Sequence, residues 1–147
     1  MKKIISIFLL VFISLTMLSQ NRVGRFQLED STFKIGDKYK TYKITFDEYC
    51  YQSLTSSSND ELVRMKDFLT KNKHIVVEIG YHLGVDSTNY SGCLPSHQAS
   101  STVRKELIKL GVRKKQLQIK GYGFSKPCCT HPYRNQRIEL IIIIIKK

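Results

Sequence analysis

The stretch HIVVEIGY, residues 74–81, constrains the fold more than any other part of the chain. Its apolar and β-branched residues follow one another without a regular polar alternation, which is typical of a strand that is buried on both faces. Because such a strand needs neighbours to cover it, the segments before and after it must supply the other elements of one folded domain.

Helical patterns flank this strand on both sides. Ser58 and Glu61 have the spacing of a helix capping box, and the apolar residues that follow recur at helical spacing as far as Thr70. After the strand, a second helix is predicted from apolar residues three or four positions apart, and Gly111 is suited to end it. The apolar positions of this second helix are Ala99, Val103, Leu107 and Leu110.

Three further segments predict strands. KYKTYKITFDEYC, residues 38–50, alternates with a period of two among β-forming residues. QLQIKGYG, residues 116–123, ends in a glycine-rich turn, and QRIELIIIII, residues 136–145, is a continuous apolar run too short to cross a membrane. The loop FSKPCCTHPYRN separates the last two strands.

The order of these elements is β-α-β-α-β-β, and it predicts an α+β fold: a two-layer sandwich in which both helices pack on one face of a mixed four-stranded sheet. Right-handed crossovers make the first three strands run in the same direction. Their carboxyl ends then share one edge of the sheet, which is where ligands bind in open sheets of this kind.

The first residues predict export. Two lysines at the N-terminus precede an apolar run and a small residue, Ser19, which is the pattern of a secretory signal peptide over residues 1–19. The apolar run is shorter than the roughly 20 residues that a spanning helix needs, which disfavours a membrane anchor. We expect an irregular lead-in over residues 20–38 and a domain over residues 39–147, located in the periplasm or at the outer membrane.

The formal net charge of +12 favours anionic partners such as acidic polymers of the cell envelope. Export argues against nucleic acid as a partner, and the basic residues are scattered rather than gathered in one tract.

The cysteines allow several interpretations. Export favours disulfides, and the shared sheet edge would bring Cys93 near Cys128 or Cys129. Cys128 and Cys129 are adjacent, so a bond between the two would be strained. Thiols without a disulfide and a metal site remain alternatives, but the spacing of cysteines and histidines fits no standard zinc pattern. The four cysteines are Cys50, Cys93, Cys128 and Cys129.

Separated landmarks over about residues 39–143 resemble the peptidoglycan-binding domain of the outer-membrane protein A (OmpA) family. ITFDEYC, IGYH, NYSGCLPSHQAS, GYGFSKP and NQRIEL occur in the family's order. In that family the corresponding motifs read F-D, I-x-G-H-T-D, Y-N-x-x-L-S-x-x-R-A, G-Y-G-x-x-x-P and N-R-R-V-E. The resemblance implies a non-catalytic module that binds the peptide stem of the cell wall.

The resemblance also implies a ligand-binding pair. An aspartate of the T-D motif meets the ammonium of the stem's diamino acid, and an arginine of L-S-x-x-R-A meets its carboxylate, which suits a zwitterion. In the ungapped register Tyr90, Leu94 and Ala99 match the motif, but Leu83 stands at the aspartate position and Gln98 at the arginine position. Shifting by one residue aligns His82 with the motif histidine and leaves Gly84 at the position of the carboxylate.

We therefore expect weakened or altered recognition of peptidoglycan, with Asp86 as a replacement carboxylate from the same loop. The candidate ligand-binding residues are Asp86, Asn89, Tyr90, Gln98, Asn135 and Arg137. No cofactor and no metal are predicted. No catalytic residue is predicted either, because the pair Cys93 and His97 lacks a third group to orient the histidine. The alternative function is a degenerate domain of this family that contacts an outer-membrane or periplasmic protein.

Overall fold

The computed structural model describes residues 24–47, 51–84, 95–130 and 135–146. These residues form an α+β domain with one four-stranded sheet and two helices, and the predicted fold class is confirmed. The elements are β1 Lys38–Thr41, α1 Asn59–Lys71, β2 Ile75–His82, α2 Pro95–Lys109, β3 Leu117–Gly123 and β4 Arg137–Ile145. None of the described helices is both long and apolar enough to cross a membrane.

The strands lie in the order β1-β4-β2-β3. β2 runs parallel to β3, whereas β4 runs antiparallel to both β1 and β2. The first three strands therefore run in the same direction, as predicted, and their carboxyl ends lie at one edge of the sheet. The long last strand is inserted between β1 and β2, where it supplies the pairing that joins the two halves of the sheet.

A single apolar core fills the space between the sheet and the helices. Alternate residues of β2 face this core, because successive side chains of a strand point to opposite faces. Ile79 and Tyr81 of β2 pack there with residues of α1 and α2 such as Met65 and Val103, all of them fully buried. The opposite face of the sheet has no helix on it within the described part of the chain, and it carries charged side chains instead.

The first strand is much shorter than predicted. The period of two continues to residue 50, but β1 ends at Thr41, which pairs with Ile138 near the start of β4. Beyond Thr41 the partner strand has only Arg137 left, so the ladder cannot continue. The following segment turns away, and Thr45 and Thr55 hold it by a backbone hydrogen bond of 3.1 Å.

The predicted capping box at the start of α1 is wrong. The hydroxyl of Ser58 accepts a hydrogen bond from the amide of Thr45 at 2.9 Å and donates one to the carbonyl of the same residue. Glu61, the second residue of the supposed box, is buried and accepts hydrogen bonds from Tyr39 and Arg64. Both side chains therefore connect α1 to neighbouring segments rather than cap their own helix.

The second helix follows its prediction except at the last position. Ala99, Val103 and Leu107 are fully buried, whereas Leu110 lies just beyond the helix and is 40% exposed. Gly111 adopts a φ of +97°, and its amide and that of Val112 bond to carbonyls of the last helical turn. The helix thus ends one residue before the sequence pattern does, because the chain reverses at Gly111 through a left-handed conformation that glycine adopts at little cost.

The lead-in is part of the folded domain from residue 24 onward. Arg25 forms a parallel bridge with Lys38, so the lead-in adds one ladder position to the outer edge of β1. Phe26 and Leu28 are buried in the core. The predicted signal peptide lies outside the described residues.

Candidate functional site

The edge at which β2 and β3 end places the first turn of α2 directly against a glycine. A methyl group added to Gly121 would lie 2.5 Å from the hydroxyl oxygen of Ser96 and 2.6 Å from the amide nitrogen of His97. Only a residue without a side chain allows this approach of helix and strand. The first glycine of the G-Y-G turn therefore sets the position of the first turn of α2, which carries Gln98.

Two candidate positions of the implied ligand-binding pair lie at this edge. Leu83, at the aspartate position, directly follows β2, donates its amide to the carbonyl of Gly123 at 2.9 Å and is 7% exposed. Gln98, at the arginine position, lies in the first turn of α2 and is partly exposed. A buried leucine and a neutral amide thus occupy the two positions at which the resemblance implies charges.

The other candidates from the intervening loop lie outside the described residues. They are Asp86, Asn89, Tyr90 and Cys93. Their roles stay predictions, including the replacement of the missing carboxylate by Asp86 and the disulfide of Cys93 with Cys128 or Cys129.

Arg137 is buried, and each of its three side-chain nitrogens donates a hydrogen bond. Its Nε donates to Glu139 Oε1 at 2.7 Å, one Nη to the carbonyl of Asn135 at 2.8 Å and the other to the carbonyl of Lys126 at 3.1 Å. Only 5% of the residue is exposed. In this arrangement Arg137 holds the β3–β4 loop across the end of the sheet.

Asn135 organises the two adjacent cysteines of the same loop. Its side-chain oxygen accepts hydrogen bonds from the amides of Cys128 at 2.8 Å and Cys129 at 3.2 Å, and its side-chain nitrogen donates to the carbonyl of Cys129. The two sulfur atoms are 3.5 Å apart, well beyond the covalent distance of about 2.05 Å. Cys128 and Cys129 therefore do not form a disulfide with each other.

A buried charge network on the open face of the sheet was missed by the sequence analysis. Glu139 is 4% exposed and His82 is 1% exposed, and His82 Nε2 lies 3.4 Å from Glu139 Oε2. Burial alone would raise the pKa of Glu139, but the contacts with His82 and Arg137 outweigh burial and lower this pKa to about 2. The carboxylate is thus charged at every physiological pH.

An aromatic ring covers this network from the side of β3. Tyr122 stacks on His82 with the ring centroids 4.6 Å apart, and its hydroxyl donates to Glu78 at 2.6 Å. The ammonium groups of Lys120 and Lys126 lie 5.0 and 4.6 Å from the centroid of the tyrosine ring. Burial, followed by the hydrogen bond to Glu78, raises the pKa of Tyr122, which keeps its proton.

A sequence signal for this network existed. His82, Arg137 and Glu139 interrupt otherwise apolar strands, and the last two are two residues apart, so they share a face. Charged residues inside a buried strand are costly unless they are paired. The sequence signal shows that each of these side chains needs a partner. It does not show that His82 and Glu139, which are more than fifty positions apart, meet.

The buried groups of this site act together as a brace for the β3–β4 loop. The described residues hold no group of histidine, cysteine and carboxylate side chains that could bind a metal ion. The charged groups of the network neutralise one another and hold the β3–β4 loop against the sheet, next to the beginning of α2. The exposed part of the edge presents Gln98 and residues 124–128 of the β3–β4 loop.

Comparison with known proteins shows where this fold occurs. No protein-family model matches the sequence, and no curated protein matches it. Among solved structures, the periplasmic domain of Helicobacter pylori MotB is similar with a TM-score of 0.63 at 17% identity, covering 73% of this chain and 81% of that one.

Two further structures share the fold. The OmpA-like domain of FopA1 from Francisella tularensis has a TM-score of 0.55 at 20% identity, covering 78% of this chain and 79% of that one. The peptidoglycan-associated lipoprotein of Burkholderia pseudomallei has a TM-score of 0.55 at 18% identity, covering 68% of this chain and 89% of that one. The chain thus has the fold of OmpA-like domains.

Proposed function

We propose that this protein is a non-catalytic module of the cell envelope that associates with peptidoglycan in the periplasm. The observation that carries the proposal is the fold, which is shared with a domain named OmpA-like and with a lipoprotein named peptidoglycan-associated. The strand-end edge with the first turn of α2 is the surface that would meet the cell wall. Export by the predicted signal peptide would bring the protein to that compartment.

Recognition is weakened or altered in this proposal, because both charges of the implied pair are replaced. Leu83 is apolar and buried, and Gln98 can offer only a neutral hydrogen bond to a carboxylate. A hydrogen bond between neutral groups contributes about 1 kcal/mol, whereas one to a charged group contributes about 1.5–3 kcal/mol. Arg137 is not placed to replace the missing arginine, because it is 5% exposed and each of its three nitrogens already bonds to Glu139 or to a carbonyl of the β3–β4 loop.

Sedimentation with purified cell-wall sacculi at physiological salt tests the proposal. We expect a measurable part of the protein to sediment, and we expect soluble stem peptide to release it. The variant Gln98→Arg should strengthen binding roughly fivefold to tenfold, because a guanidinium at the start of α2 restores a charged partner for a carboxylate. Leu83→Asp is not suitable as the second change, since the new carboxylate would be buried.

Gln118→Arg on β3 is the matched control, because Gln118 is exposed and lies outside the strand-end edge. It adds the same charge without adding a partner for the stem. If both variants gain the same affinity for sacculi, the attraction is general electrostatics. If neither the parent nor Gln98→Arg sediments, the protein does not bind peptidoglycan.

A second candidate function is a protein-interaction module that uses the same fold without its ligand. Phe124, directly after β3, is 48% exposed beside the strand-end edge, and Leu83 leaves the aspartate position uncharged. A photoreactive amino acid at position 124, activated in intact cells, should then form a discrete adduct with one envelope protein. Adducts with cell-wall material alone would contradict this candidate.

A further inference from the structure

A groove of about 450 Å³ lies along β1, on the side of the sheet far from β3. Residues of the lead-in, of β1 with the following Tyr42, and the cysteine pair of the β3–β4 loop line it. None of the described residues of β2, β3 or α2 lines it. The side chains that matter are Arg25, Gln27, Lys38, Lys40, Tyr42 and Cys128.

Three cations line this groove without a carboxylate among the lining residues. Lys38 and Lys40 are two positions apart on β1 and therefore share a face, and Arg25 forms a bridge opposite Lys38. Arg25 and Lys40 form no ion pair with any part of the chain that the structure describes. Lys38 Nζ lies 3.9 Å from Glu139 Oε2, and its side chain is 44% exposed.

One of these three charges, that of Lys40, also acts on Cys128 in the same groove. Burial would raise the pKa of the Cys128 thiol, but contact with Cys129 and the positive charges of Arg137 and Lys40 lower it. A lowered thiol pKa is expected where the surrounding potential is positive. The concave shape and the like charges held together within it favour an anion that would neutralise their repulsion.

We propose that this groove binds the phosphomonoester group of a small molecule such as a sugar phosphate or of a lipid headgroup. A phosphomonoester carries a charge of about −1.5 to −2 at neutral pH, which needs more than one cation, and a guanidinium can contact two of its oxygens. The volume lies at the small end of ligand sites of roughly 300–1,000 Å³, which suits one sugar ring with its phosphate. Gln27 and the exposed ring of Tyr42 offer a hydrogen-bonding amide and a flat surface to the sugar.

Calorimetric titration of the processed protein with glucose 6-phosphate at physiological salt tests the proposal. We expect saturable binding of glucose 6-phosphate and none of glucose. The double variant Arg25→Gln, Lys40→Gln should lose at least tenfold in affinity, and its thermal unfolding should match that of the parent because both side chains are at the surface. Lys115→Gln, an exposed lysine of the turn before β3, is the matched control and should bind normally.

Vesicles distinguish a lipid-borne source of the same group from a free sugar phosphate. The protein is sedimented with phosphatidylcholine vesicles that contain or lack phosphatidic acid. Binding to phosphatidic acid that the double variant loses supports the proposal with a lipid-borne ligand, and binding of glucose 6-phosphate alone supports it with a free one. Binding that the double variant and Lys115→Gln retain equally, or no binding of either probe, would overturn it.

Discussion

At the scale of single residues, the most consequential feature is a carboxylate that is buried and yet charged. Glu139 contacts Arg137 and His82 inside the fold, and Lys38 lies at the edge of the same group. Removing one member of a buried ion pair is strongly destabilising, because the remaining charge is left without compensation. The network therefore acts as the brace that holds the β3–β4 loop beside the site.

Glu139→Gln should lower the free energy of unfolding by about 3 kcal/mol, because it leaves the guanidinium of Arg137 buried beside a neutral amide. Denaturant unfolding followed by circular dichroism measures the change. Asp67→Asn is the control: Asp67 pairs with Lys66 at the surface and should change stability by no more than about 0.5 kcal/mol. Equal small effects in both variants would show that the buried network does not brace the fold.

The same carboxylate predicts how stability depends on pH. The pKa of Glu139 is lowered in the folded state to about 2 from its ordinary value of 4.5. Its contribution is therefore complete above about pH 4.5 and is lost as the pH falls towards 2, where the folded state also takes up the proton. Thermal unfolding between pH 6 and about pH 2 should show a shallower acid decline for Glu139→Gln than for the parent, and parallel curves would contradict this assignment.

At the scale of elements, the contact between α2 and β3 decides where the strand-end site lies. Gly121 has no side chain at the point where the backbone of His97 approaches, so helix and strand can touch. The start of α2 carries Gln98, and therefore this contact sets the position of the arginine-equivalent residue relative to β2. The close approach at Gly121 thus determines where Gln98 lies in the site.

Gly121→Ala should cost about 3 kcal/mol, because the added methyl group meets backbone atoms that cannot move without shifting the helix. Gly111→Ala is the matched control: no atom lies within 4 Å of the added group, and only the strain of its positive φ remains, about 1 kcal/mol. Chemical denaturation of the two variants measures the difference. A smaller loss at Gly121 than at Gly111 would show that α2 shifts freely.

At the scale of the whole molecule, the folded domain includes the lead-in as well as the helices and strands. The lead-in contributes Phe26, which is 2% exposed and packs on Phe33, Tyr39 and Phe68 with ring centroids 5.1–6.0 Å apart. It also supplies Arg25 to the cationic groove. A shortened chain that begins at β1 would lack both the packing and one wall of the groove.

Phe26→Ala should therefore lower the free energy of unfolding by about 3–4 kcal/mol, the usual cost of removing a buried aromatic side chain. Ile35→Ala, in the same lead-in but 68% exposed, should change it by less than about 0.5 kcal/mol. Thermal and denaturant unfolding measure both. If Phe26→Ala is as stable as Ile35→Ala, the lead-in does not belong to the cooperative unit.

The sequence determined the class of fold, the order of its elements and the direction of its first three strands, because apolar periodicity and chain connectivity are local properties. It could not determine that β1 stops at Thr41, that Ser58 and Glu61 bond other segments, or that Leu110 is exposed. Each of these depends on which partner lies opposite, such as the few residues of β4 that remain beyond Ile138.

For the site, the residue types at the two ligand positions could be read from the sequence, because they follow from register alone. Only the tertiary structure decided that Leu83 is buried, that Arg137 bonds to Glu139 and to the β3–β4 loop, and that Glu139 contacts His82. The physical reason is that an ionic or hydrogen-bonding side chain reveals a need for a partner, whereas the partner's identity is fixed by folding across long separations in the chain.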